Sequence, residues 1–167
     1  MNAYRLVKKY HHARLVLAGT ASDDPESLDV VAQLRDAAHH DPDIVVLDLP
    51  PDAHLQINAL QRAATIVLHK SVREDFGLGA AEAMWKAKPV VGGFAGGLSQ
   101  QIIYDVTGYT VHSVEGAAFR IRHLLNNPDL IARMGAAGRE HVRRSFLVTR
   151  ELTDYLALLI HVTEPAR

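Results

Sequence analysis

The sequence predicts an α/β fold built on a doubly wound parallel sheet and finished by C-terminal helices. Short β-branched or leucine-rich runs alternate with stretches of helical spacing, the pattern that builds such sheets. The runs are nearly continuous in apolar residues, as strands covered on both faces should be. After His112 the strands stop and only helical periodicity remains.

Met1–Tyr10 reads as a helix, with Ala3, Leu6, Val7 and Tyr10 at i, i+3, i+4 and i+7. A doubly wound sheet normally opens with a strand, so the sheet is expected to lack its first one. Strands follow over Ala13–Gly19, Asp43–Leu49, Ala64–His69 and Pro89–Gly92. Helices lie between them over Pro25–His40, Ala53–Ala63 and Gly77–Ala87. Pro25 suits a first helical turn, where its missing N–H costs nothing. Gly92–Gly97 reads as a glycine-rich loop, and a fifth strand is expected over Tyr109–His112. Three helices close the chain, over Val114–Asn126, Pro128–Ser145 and Thr149–Val162, with Asn126-Asn127-Pro128 breaking the first two apart. Neither a repeat nor a linker is visible, so residues 1–167 are expected to form one domain.

Composition narrows the function classes. The chain has 167 residues, 48% hydrophobic and 22% charged, which disfavours disorder. Its longest apolar runs, such as Leu15–Ala18 and Leu156–Ile160, fall far short of the ~18 residues a membrane helix needs. No signal peptide is legible, so the cytoplasm is the expected location. The absence of cysteine removes disulfides, thiolate metal sites and cysteine nucleophiles. A net charge of -1 argues against duplex nucleic acid as a partner. Acidic residues crowd Asp23–Asp52 and arginines crowd Ser113–Arg150, which reads as solvated helix faces. Ten histidines raise the question of a metal. Two of the pairs, His11-His12 and His39-His40, are adjacent and cannot both face one ion from a helix. No His-x-x-x-His spacing occurs, so no metal is expected.

Ligands of open α/β sheets bind beyond the carboxyl ends of the strands. The densest loop of that kind is His69–Gly79, which leads into a helix. Unpaired amides at that helix start suit a phosphate. The following helix is apolar nearly all round, which predicts burial. Glu82, about five residues inside it, is then expected among apolar neighbours, facing either a structural partner or a ligand hydroxyl. Glu74 on the loop and Glu82 in the helix would bracket an elongated ligand such as a nucleotide sugar.

Three stretches carry a resemblance: Ser71-Val72-Arg73-Glu74-Asp75-Phe76-Gly77-Leu78, then Glu82-Ala83-Met84-Trp85-Lys86-Ala87-Lys88-Pro89-Val90-Val91, then Gly96-Gly97-Leu98. Together they resemble the donor-binding half of the retaining GT-B glycosyltransferases of family four, whose C-terminal domain is Rossmann-like. Glu82-Ala83-Met84-Trp85-Lys86 is most similar to the glycosyltransferring trehalose synthases, with trehalose phosphorylases close by. Ala21–Glu26 and Gln61–Ala64 are similar to the same subgroup. The resemblance implies that Glu74 contacts the donor sugar hydroxyls and Glu82 the ribose. It implies further that the backbone amides of Phe76, Gly77 and Leu78 meet the sugar or diphosphate, and that the base lies near Leu49 and Pro50. The donor would be a nucleoside diphosphate-glucose of UDP or ADP type, with no metal or other cofactor.

Departures from the family pattern are visible. Asp75 stands where the family usually has glycine, Gly79-Ala80-Ala81 replaces a threonine-containing stretch, and Ser99-Gln100 follows Gly96-Gly97-Leu98. The family's phosphate-binding arginine and lysine would precede Met1, as would the N-terminal acceptor domain. The chain is therefore expected to carry one wall of the active site, with the acceptor domain or a separate subunit as its partner and no transfer by itself. The alternative is a non-catalytic domain kept for protein association or weak nucleotide binding. An exposed apolar surface would then favour a homo-oligomer.

Overall fold

The computed structural model describes residues 1–20, 25–71 and 74–163, and of residues 25–27 the backbone alone. Ala21, Ser22, Asp23, Asp24, Val72 and Arg73, all in the stretches of resemblance, lie outside the described residues. The chain divides into two units, Met1–Ala63 and Ala64–Arg167.

The first unit runs α1 (Asn2–Lys8), β1 (Leu15–Gly19), α2 (Pro25–His39), β2 (Ile44–Asp48) and α3 (His54–Ala63). β1 and β2 pair in parallel, from Leu15 opposite Ile44 to Gly19 opposite Asp48. Their core is small: Tyr4, Leu15 and Ile44 are buried together, with Met1, Ala13, Leu17, Ala38 and Val46 packed around them. The anchors of α1 are Tyr4 and Val7, whereas Tyr10, expected on the apolar face, lies beyond the helix and is exposed. Tyr4 is amphipathic, so it can pack its ring inward while its hydroxyl donates to the Ala13 carbonyl at 2.9 Å. Lys8 closes the unit's edge by binding Asp41 and, at 2.8 Å, Asp43.

The second unit runs β3 (Val67–His69), α4 (Leu78–Trp85), β4 (Val90–Gly93), α5 (Gly96–Gln101), β5 (Gly108–Val111), α6 (Val114–Leu125), α7 (Pro128–Ser145) and α8 (Val148–Thr163). Its three strands are parallel in the order β3-β4-β5. The core gathers Ala80, Ala81, Ala83, Met84, Val90, Leu98, Ile102 and Val142. Small residues let the helices approach closely. A Cβ on Gly135 of α7 would overlap the Ala87 carbonyl, and one on Gly138 would stand 3.3 Å from Met84 Cβ. α4 ends in a Schellman turn: Lys88 N–H donates to Ala83 O at 3.0 Å and Ala87 N–H to Met84 O at 2.9 Å. Ala87 takes the left-handed conformation (φ 57°) that this turn requires. Ser113 caps α6 by accepting from Gly116 N–H at 2.9 Å, and Pro128 opens α7 in its first turn.

The mixed α/β class and the parallel pairing agree with expectation, and two local readings are corrected. Among the described strands only β4 is buried at every residue, because among them it alone has a strand on each side. Val16 of β1 and Leu68 of β3 are exposed. The glycine-rich stretch after β4 is not loop throughout, since Gly96 and Gly97 begin α5. No residue of α8 is buried, although Leu152, Tyr155, Leu156, Leu158, Leu159 and Ile160 are apolar or aromatic. Among the described residues no helix is long and apolar enough to cross a membrane.

Candidate functional site

The candidate site forms at the carboxyl end of β3. His69 is the last residue of that strand, and the chain then turns through Glu74 into α4. Glu74 Oε2 accepts from His69 Nε2 at 2.9 Å and from Ser71 Oγ at 2.9 Å. These bonds, His69's first, hold the Glu74 carboxyl below the usual glutamate range. The carboxylate is half-buried, so it is held in place yet remains open to solvent.

The second glycine stretch backs this loop. Gly97 N–H donates to the Glu74 carbonyl at 2.7 Å. A Cβ on Gly96 would stand 2.7 Å from that same oxygen, and one on Gly97 would overlap the Asp75 carbonyl. Glycine is required here by the closeness of two backbones, which places the two loops in one site. Gln101 adds a second tie, accepting from the buried Gly77 N–H through Oε1 at 3.1 Å. Sequence reasoning missed Gln101, because a glutamine in a polar run carries no signal of burial. His69 had one signal: it ends a strand immediately before the ligand loop.

Glu82 corrects the expectation most directly. Ala80, Ala81, Ala83 and Met84 form the buried side of α4, while Leu78, Glu82 and Trp85 make an exposed stripe. Alanine covers the inner side of the helix and also fits an exposed position, so the wheel looked apolar all round without being buried. Trp85 lies 5.3 Å under the Arg139 guanidinium. Glu82 is thus presented to solvent eight positions beyond Glu74.

Of the three amides expected to meet a phosphate or sugar, two are engaged within the protein. Gly77 N–H donates to Gln101, and Leu78 N–H donates to Phe76 O at 3.0 Å. Phe76 is exposed and meets Phe146 edge-on at 5.6 Å. Phe76 and Leu78 border an open groove of about 680 Å³ with Phe146, Leu147, Tyr155 and Leu158. Neither Glu74 nor Glu82 lines it. Leu49 and Pro50 belong to the first unit, just after β2, where Leu49 N–H donates to Gly19 O at 2.8 Å and Ala53 N–H to Pro50 O at 3.0 Å. Among the described residues no group of three or more His, Asp or Glu side chains is arranged to hold a metal ion.

Comparison with known proteins agrees with this architecture. The family model described as glycosyl transferases group 1 matches residues 1–141. The trehalose synthase of Rubrobacter xylanophilus is 40% identical over 161 residues, covering 95% of this chain and 38% of that protein. The crystal structure of the C-terminal domain of a glycosyl transferase group 1 family protein from Francisella tularensis superposes with a TM-score of 0.76. It is 28% identical and covers 88% of this chain and 76% of that one. The Anabaena protein HepE, solved in complex with UDP-glucose, shares the fold with a TM-score of 0.77, at 23% identity over 93% of this chain and 43% of its own. The chain spans less than two-fifths of the length of the curated trehalose synthases it matches. It belongs to the glycosyl transferases group 1, the GT-B glycosyltransferases of family four, and is homologous to trehalose synthase.

Proposed function

We propose that this chain is the donor-binding part of a retaining glycosyltransferase that moves glucose from a nucleoside diphosphate-glucose to glucose, forming trehalose. One observation carries the reading: a preorganised, solvent-facing carboxylate, Glu74, stands at the carboxyl end of β3 ahead of α4. Glu74 would accept bonds from the glucosyl hydroxyls, and Glu82, exposed on α4, from the ribose. Phe76, Gly77 and Leu78 would line the sugar and diphosphate, and Leu49 and Pro50 the base. Because Gly77 and Leu78 spend their amides internally, Phe76 becomes the main-chain candidate in this set for the diphosphate. The donor is of UDP or ADP type and no metal takes part. HepE, which shares the fold, was solved with UDP-glucose. That complex is consistent with a nucleotide sugar here.

Transfer by GT-B enzymes takes place between two domains, so the chain alone is expected to bind donor without turning it over. Calorimetry with UDP-glucose and ADP-glucose, beside an assay for trehalose in the presence of glucose, tests both halves of the reading. Saturable binding that survives a chelator, without trehalose, is the expected result. Absence of binding to either donor overturns the donor site, and robust turnover overturns the division of labour. Glu82→Ala should weaken nucleotide binding by at least about 1 kcal/mol if the carboxylate holds the ribose. Unchanged affinity would assign Glu82 to the surface alone.

A further inference from the structure

The bond between His69 and Glu74 lies outside the roles assigned so far. His69 Nε2 and Ser71 Oγ both bind the same carboxylate oxygen, Oε2, at 2.9 Å each. The other oxygen is then the natural one to meet a ligand. The histidine is itself confined. A Cβ on Gly79 would stand 3.3 Å from His69 Nδ1 and 3.4 Å from Cε1, so the ring leans over the first turn of α4 in space that glycine leaves open. His69 is half-buried and, as the last residue of β3, has a backbone fixed by pairing opposite Gly92. With Glu74 ionised, the hydrogen between the two groups sits on Nε2.

We propose that His69 is a positioning residue: it holds one oxygen of Glu74 so that the other is presented to the sugar of the donor. A side chain anchored on a strand can fix a loop carboxylate where the loop by itself would leave it several rotamers. The lowered carboxyl range of Glu74 follows from the same contact, since a donor to the charged form favours that form. Among the described residues, Glu82 is the titratable side chain of α4, β4 and α5 contribute none, and Lys70 and Asp75 come from the loop itself; Arg73, also of that loop, lies outside the described residues. What His69 does to Glu74 is independent of any ligand, whereas its purpose rests on the donor-sugar reading given above.

Two measurements separate these. The first follows the Glu74 carboxyl carbon by NMR during an acid titration of the ligand-free protein. The midpoint should lie below the ordinary glutamate value in the wild type and rise in His69→Ala. His69→Gln, which keeps a donor, should fall between them. An unchanged midpoint in His69→Ala overturns the proposal whatever Glu74 binds. The second compares UDP-glucose with UDP by calorimetry. His69→Ala should lose about tenfold in affinity for UDP-glucose and less than about twofold for UDP, with His69→Gln partly restored. If Glu74→Gln weakens UDP-glucose and His69→Ala does not, the positioning role falls while the donor reading stands. If neither variant changes the ratio of the two affinities, the donor reading falls, and the titration alone reports the coupling of His69 to Glu74.

Discussion

The two parallel sheets are made of similar apolar strands, yet they bury them differently. In β4 all four residues are buried, whereas β1 and β2 bury only their first residues, Leu15 and Ile44. The second unit adds a strand on each side of β4, and α4, α5 and α6 also pack against it. The first unit has two strands, and α3 buries no residue at all. Local sequence alone therefore does not set the burial of a strand; its neighbours do. The consequence is functional. The loop carrying Glu74 is backed by the denser unit, where the backbones of residues 74–75 and 96–97 touch.

Core truncations should show the difference between the units most strongly. Met84 is fully buried in the second unit, whereas Leu55 on α3 is 81% exposed. Met84→Ala should cost about 3 kcal/mol in urea unfolding, and Leu55→Ala no more than about 0.5 kcal/mol. Similar losses would mean that the first unit packs as tightly as the second. A smaller effect is expected at the tie between α5 and the start of α4. Gln101→Leu leaves the Gly77 amide buried without its acceptor, which should cost about 1–2 kcal/mol. An unaltered unfolding midpoint would show that the tie is dispensable.

The smallest effect is electrostatic and belongs to the first unit. Lys8 holds the carboxyls of Asp41 and Asp43 below their usual range, chiefly through its hydrogen bonds. A depressed carboxyl contributes stability that is present above its unfolded value and lost as pH falls through its folded one. The acid limb of the stability curve should therefore steepen from the ordinary aspartate value downward, and Lys8→Met should flatten it. These groups are near the surface, so salt should weaken the effect. An acid limb identical in Lys8→Met would remove the triad from the stability of the unit.

Legibility followed how directly each feature depends on nearby residues. The alternation of strand and helix was readable because hydrophobic period switches between two values along the chain. The start of α7 at Pro128 was readable because proline suits a first helical turn. α5 was not, since two glycines and a serine disfavour a helix locally; the bond from Gly97 N–H to Glu74 O fastens its first turn to the neighbouring loop. Glu74 could be placed before α4 from spacing, but its two donors could not. One of them, His69, is brought to it by a strand end and the other, Ser71, by a turn.

The order of elements apart from α5, the loop that carries Glu74 and the family were therefore determined by the sequence itself, because each rests on periodicity or on contiguous residues. Which face of α4 is buried was decided by tertiary structure. Alanine suits either environment, and the packing of α4 against α7, β3, β4 and α5 turns Ala80 and Met84 inward and leaves Glu82 outside.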